Sequence, residues 1–358
     1  MNGIRTVVTV ALLLVLLTVG SPGPTPRSQE PAVPASDDAY HFALWADGSH
    51  DASYTEWWYF NVFDARHGVQ AIFSYFVTNP GDLFGGAHVQ MVAVAYTRDG
   101  IVTEVDPYPL EAFAASYEWV DVTIGANTVR AIDGETYRVT GASRDGRLAW
   151  DLTYASRAAP WFAADRMTVG SLAWEQMSWL VAMPRAAVSG QLSVDGRAYT
   201  IRASGYHDHN WGEWFPTDVL WNWAQYSNRR LTVEMGDFIG KPAGMVRVDL
   251  DGERTVFSKE QYALTHTRWA WDRVNGGFYP IASTLVAENE AHRLEIDLRA
   301  LDTAPLRGDL PAPFRDLLIY EQTARYEGRL LTRDSSGAWV VALQFVGRGF
   351  KEYTTKRY

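Results

Sequence analysis

The sequence contains no cysteine. Disulfides, thiolate nucleophiles, zinc–thiolate sites and a lipid anchor on cysteine are therefore excluded. Positive charge is also scarce: 32 Lys and Arg stand against 42 Asp and Glu, a net charge of -10. Binding a nucleic-acid backbone needs basic stripes, so no nucleic-acid partner is expected. No G-x-S-x-G elbow, no G-x-x-x-x-G-K-[ST] phosphate loop and no H-E-x-x-H signature occurs. Helical periodicity is almost absent.

Aromatic residues are what the 358-residue chain has in quantity: 15 Trp, 18 Tyr and 15 Phe, 13% in all. Side chains of this kind fill cores or line a pocket for a flat apolar ligand.

The N-terminus reads as a targeting segment. Arg5 precedes the apolar run TVVTVALLLVLLTVG, which is shorter than the ~20 residues of a comfortable membrane span. The expectation is an extracytoplasmic protein, secreted or periplasmic. If the segment stays uncleaved it anchors the protein, and membrane association then runs through the N-terminus. Residues 21–37 are rich in Pro and Ser and read as a tether. Residues 1–37 thus form signal and linker.

From about Tyr40 onward, strand follows strand. Apolar alternation is broken by turns at Ala65 to Gly68, Arg98 to Gly100, Arg144 to Gly146, Asp195-Gly196 and Asp251-Gly252. Asp-Gly between alternating runs is a strong hairpin signal. Short helical or coil segments are expected near Tyr108–Ala115 and Ala312–Leu318. The fold class is antiparallel all-β, with strands enough for two tandem barrels or sandwiches. The division is placed at Pro216-Thr217, giving domains 38–216 and 217–358.

Two clusters stand out. The first is G-Y-H-D-H-N-W-G, Gly205 to Gly212. On a strand, side chains alternate between faces. Tyr206, Asp208 and Asn210 then share one face, and His207, His209 and Trp211 the other. On the first face, a Trp-lined setting would raise the pKa of Asp208 and suit it to general acid work. The bland reading is a buried aspartate that ties strand ends together. On the second face, H-x-H could hold a metal with a third ligand from His88 or Glu56. The simpler reading makes His207 and His209 donors that fix nearby carboxylates or carbonyls. The second cluster is T-E-W-W-Y-F-N, Thr55 to Asn61. It puts Glu56, Trp58 and Phe60 on one face and Trp57, Tyr59 and Asn61 on the other. Glu56 could pair with a histidine or an arginine; the aromatics could equally be ordinary core.

E-W-W-Y-F-N, Y-H-D-H-N-W-G and the closing Y-E-G…G-R-G-F-K-E-Y resemble the acyclic carotenoid 1,2-hydratase (hydroxyneurosporene synthase) family, from about Tyr40 to the C-terminus. The resemblance implies a lipocalin-like architecture of two tandem β domains. It implies cofactor-free hydration of an isoprenoid or polyene double bond. On it, Asp208 is the proton donor and Tyr206 orients the acid or helps stabilise the cation. His207 and His209 set the hydrogen-bond network. Asn210, Trp211, Glu56, Trp57 and Trp58 support the site or line the pocket. No metal and no cofactor are implied, and the partner is a hydrophobic small molecule: a terpenoid, carotenoid or lipid. An export segment departs from what a carotenoid hydratase of the cell's own membrane would carry, and favours a secreted relative. Two other readings stay open: an exported lipid or terpenoid carrier without chemistry, and a cyclase or isomerase of the same superfamily.

Overall fold

The computed structural model describes residues 34–215, 218–307 and 317–356. The signal reading lies outside the described residues, as does most of the tether. The last residues of the tether, with Asp38 after them, form a single 3-10 turn, Ala35–Asp38, and Asp38 is buried. Among the described residues no helix is long and apolar enough to cross a membrane.

The described residues form one compact unit built on two antiparallel sheets. The first sheet opens with β1 (Tyr54–Asp64), β2 (Val69–Thr78), β3 (His88–Thr97) and β4 (Gly100–Tyr108). It continues with β5 (Phe113–Ala115), β6 (Asp121–Ile124), β7 (Asn127–Ala131) and β8 (Thr136–Ala142). It ends with β9 (Leu148–Ser156), β10 (Trp161–Thr168), β11 (Gln176–Val194) and β12 (Arg197–Glu213). The spatial order is β4-β3-β2-β1-β12-β11-β9-β8-β7-β6-β5, with β10 paired to β11. The long central strands β11 and β12 bring the end of the sheet's sequence back beside its beginning.

The second sheet holds β13 (Trp221–Ser227), β14 (Leu231–Phe238), β15 (Gly244–Leu250), β16 (Glu253–Ser258) and β17 (Tyr262–Asp272). Its remaining strands are β18 (Gly277–Glu288), β19 (His292–Arg307), β20 (Leu317–Arg333) and β21 (Trp339–Lys356). The order is β16-β15-β14-β13-β21-β20-β19-β18-β17. The first sheet curls into a nearly closed barrel and the second into a half-barrel, a lipocalin-like architecture.

The expected turns all join consecutive strands. Asp99-Gly100 links β3 to β4, Asp195-Gly196 links β11 to β12, and Asp251-Gly252 links β15 to β16. Asp195 and Asp251 sit at positive φ, where a short polar side chain is tolerated. Near Tyr108–Ala115 the helical expectation reduces to one 3-10 turn, Leu110–Ala112. The expected segment at Ala312–Leu318 falls mostly outside the described residues, and Leu317 and Leu318 begin β20.

Among the described residues, three large apolar clusters hold the unit together, with a smaller one of Trp45, Tyr54, Leu180, Ala182 and Trp211. One fills the first barrel, with Phe60, Phe73, Trp150 and Tyr154 among its members. Another fills the second sheet's concave side around Tyr226, Phe257 and Tyr326. The third joins the sheets, packing Tyr59, Val92 and Tyr96 of the first against Trp223, Phe238 and Leu306 of the second. Tyr96 adds a direct tie, its hydroxyl donating 2.9 Å to the Glu321 carbonyl.

Candidate functional site

The two sequence clusters lie side by side. β1 pairs with β12 in antiparallel register: Trp57 faces Asn210, Trp58 faces His209, Tyr59 faces Asp208 and Phe60 faces His207. The glycines that bracket the second cluster are required by close approach. A Cβ on Gly205 would come within 2.5 Å of the Asn61 carbonyl oxygen. Gly212 has φ +150°, and a Cβ there would sit 2.2 Å from the Gln176 carbonyl oxygen.

Alternation divides the site into two faces. Asp208 and Asn210 open on a cavity between the sheets, together with Trp57 and Tyr59. Its walls are Phe76, Trp179 and Trp214 on one side, and Trp221, Trp223, Phe238, Leu306 and Ile319 on the other. Polar groups are few: besides Asp208 and Asn210, they include Gln90, Asn222, Asp237, Arg307, Glu321 and Glu352. An apolar, aromatic cavity with a few converging polar groups is what a small hydrophobic ligand needs.

Asp208 is 3% exposed, so its charge is poorly solvated. Burial raises its pKa to about 6, against hydrogen bonds from Tyr206 and Trp179 that favour the charged form. The Tyr206 hydroxyl donates 2.8 Å to Oδ2 and the Trp179 indole N–H donates 2.9 Å to the same oxygen. Asn210 donates to Oδ1 at 3.4 Å, a weak contact. One carboxyl oxygen is thus clamped and the other is left lightly held. Tyr206 is fully buried beneath Asp208 and does not line the cavity, so it acts on the acid and not on a ligand. Opposite Asp208, the β11–β12 register shifts between Leu180 and Met183. Such bulges re-aim side chains beside sites.

Glu56, Trp58, His207, His209 and Trp211 do not line this cavity. The strand period of two turns them to the opposite face, where they build a buried charge network. Nε2 of His209 is 2.8 Å from Glu56 Oε1, and its Nδ1 is 3.0 Å from Asp38 Oδ1. Nε2 of His207 is 2.9 Å from Asp38 Oδ2, and its Nδ1 is 2.9 Å from the Tyr59 carbonyl oxygen. Burial opposes charge on His209, but Asp38 and Glu56 outweigh it and raise its pKa. Burial would likewise raise Asp38 and Glu56; their histidine partners outweigh it and hold both low. Aromatic rings cover the imidazoles, Phe60 on His207 at 3.9 Å and Trp58 on His209 at 4.4 Å.

The metal alternative has a geometric counterpart here. His41, Glu56 and His209 offer ligand atoms within 4.8 Å of one another. As arranged, both ring nitrogens of His209 already face carboxylates, which is the pattern of an imidazolium held by two anions. His88 belongs to neither group and meets Gln90 at 2.9 Å.

The contributors that went unread in the sequence include Asp38, His41, Trp179, Glu321 and Glu352. Trp179 is the first to matter, since it bridges Asp208 to the second sheet.

No protein-family model matches the chain. A hydroxyneurosporene dehydrogenase of Chlorobaculum tepidum is 24% identical over 307 residues, 70% of this chain and 74% of that protein. An AttH protein of Nitrosomonas europaea superposes with TM-score 0.68 at 14% identity, covering 93% of this chain and 98% of that one. Kievitone hydratase of Nectria haematococca gives TM-score 0.61 at 15% identity, covering 90% and 92%. CghA in complex with Sch210972 gives 0.57 at 14% identity, covering 86% and 89%.

Proposed function

We propose that this chain, which resembles the carotenoid 1,2-hydratase family in sequence and the lipocalin-like hydratase-type proteins in fold, is a cofactor-independent hydratase of an isoprenoid or polyene double bond. One observation carries the reading: Asp208 is a buried carboxyl with a pKa near neutrality, clamped on one oxygen and opening on an aromatic cavity.

Asp208 gives its proton to the less substituted carbon of the terminal double bond, and the π electrons form the new C–H bond. A tertiary cation is left beside the Asp208 carboxylate. Coulombic attraction in an apolar, low-dielectric cavity stabilises that pair strongly. The faces of Trp57, Trp223 and Tyr59 add cation–π stabilisation. Water then attacks the cation. Tyr206 and Trp179 are positioning residues: they fix the acid's orientation and bring its pKa down from what burial alone would set. We place the protein outside the cytoplasm, exported or anchored by its N-terminal segment.

The test is product analysis. The full chain in mild detergent is incubated with acyclic carotenoids, prenylated phenolics and simple terpenes in heavy-oxygen water, beside Asp208→Asn. The expected product gains one labelled water and is absent with the variant. An unlabelled isomer would replace this reading with a cyclase or isomerase. Ligand retained without product would replace it with a carrier.

A further inference from the structure

The wall opposite Asp208 carries a second pair of acids. Glu321 and Glu352 are direct cross-strand partners in the β20–β21 ladder, and both line the cavity. Glu321 is 4% exposed. Two carboxyls side by side in a low-dielectric setting cannot both ionise, so the pair keeps one proton between them. Burial drives both upward, Glu352 to about 7 and Glu321 well above the carboxylate range. The Trp221 indole N–H donates 2.6 Å to Glu352 Oε1. Oε2 of Glu321 is buried and has no hydrogen-bond partner. The pair feels the charge of Asp208 across the cavity. The other titratable or charged groups facing it are Tyr59 on β1, Tyr96 on β3, Asp237 on β14, and Asp302 and Arg307 on β19.

A buried carboxyl oxygen without a partner, beside a carboxylate held by an indole, is a binding place for one polar molecule in an otherwise apolar cavity. We propose that Glu321 and Glu352 are the water-activating half of the site, binding the reacting water opposite Asp208 and taking up the proton it loses. This rests on the hydratase reading. Asp208 protonates one alkene carbon; a lone pair of the held water forms the C–O bond to the other. The water's surplus proton passes to the ionised oxygen of the pair. The pair returns a proton to solvent and Asp208 regains one, so the sum is alkene plus water giving alcohol. The acid and the base thus come from different sheets, and the substrate's double bond lies between them.

The test uses the full chain, Glu321→Gln and Glu352→Gln, and Asp208→Asn, in two arms. The first needs no substrate. Infrared difference spectra at pH 8 should show a carboxylic-acid carbonyl component that Glu321→Gln loses, that moves in Glu352→Gln and that Asp208→Asn keeps. Its survival in place in both Gln variants overturns the shared proton. The second arm follows acyclic carotenoids and prenylated phenolics in heavy water. Both Gln variants should form alcohol about 100-fold more slowly than wild type. They should still exchange deuterium into the recovered alkene, because proton transfer from Asp208 survives. A variant that is merely misfolded loses exchange and alcohol together. Alcohol formation within about threefold of wild type in both Gln variants overturns the proposal. A wild-type protein that neither exchanges nor hydrates any of the panel overturns the hydratase reading, and the water-activating role with it.

Discussion

Trp179 reaches across the molecule: its indole N–H holds Asp208 at 2.9 Å, while its ring rests on Gly236 of the opposite sheet. A Cβ on Gly236 would come within 2.5 Å of Trp179 Cζ3. Gly236→Ala should therefore push the indole away from the acid. Overpacking of this kind costs about 1–3 kcal/mol. The hydrogen bond from Trp179 lowers the pKa of Asp208, so its loss should move the basic limb of the activity profile to higher pH. Thermal unfolding and a pH–rate profile measure the two effects separately.

Asp208→Asn should stabilise the protein at high pH. The folded pKa of about 6 lies above the unfolded value. The folded state therefore holds the proton more tightly, and stability falls as pH rises from the unfolded pKa through 6. Above that window the penalty is fully present, about 3 kcal/mol for a shift of this size. Replacing the carboxyl by an amide removes it. The expected gain is about 1–3 kcal/mol at pH 8, shrinking toward zero near pH 4. Urea unfolding at both pH values checks this, and equal gains at both would contradict it.

The network behind the site should behave in the opposite way. His209→Ala leaves Asp38 and Glu56 buried without their shared cation, a loss of about 3–5 kcal/mol. Asp38 and Glu56 have lowered pKa values, so their contribution is present above the unfolded pKa and lost as pH falls through the folded one. His209 has a raised pKa; its contribution is complete below the unfolded value and lost as pH rises through the folded one. The melting temperature of wild type should peak between those limits, and the peak should flatten in His209→Ala.

Hydration should show a narrow pH optimum. Asp208 must hold a proton, and its pKa is about 6; the opposing pair must be ionised once, and Glu352 titrates near 7. The active protonation state is then a minority form, with its maximum between those values. Trp221→Phe removes a hydrogen bond that lowers the Glu352 pKa, so the acidic limb should move upward. A profile unchanged by this substitution would separate Glu352 from the rate.

Much of this arrangement was legible in the chain. The Asp-Gly pairs at 195–196 and 251–252 mark real hairpins because few residues other than Gly, Asn and Asp accept positive φ. The alternation from Tyr206 to Trp211 sorts acid from imidazoles because the strand period is two. Alternation does not say which strand lies alongside, so the register of Trp58 against His209 was not readable. Asp38 directly follows the stretch whose composition reads as a tether, and its role comes from two histidines some 170 residues away. Glu321 and Glu352 did leave a signal. Glu321 shares a face with Ile319 and Thr323, and Glu352 shares one with Phe350 and Thr354, an uncommon place for an acid. Only the packing of one sheet on the other turns those two acids toward Asp208.

The cavity is bounded by two sheets that, among the described residues, share no hydrogen-bonded ladder. Asp208 and its clamp come from one; Trp223, Phe238, Leu306 and Ile319 come from the other. The proposed proton donor and part of the cavity wall can therefore be varied independently. Replacing the wall residues of β13, β14, β19 and β20 retunes which hydrocarbon fits while the strand bearing the acid stays as it is. For an engineer, the apolar wall of the second sheet is the library, while Asp208 and the pair Glu321 and Glu352 stay constant.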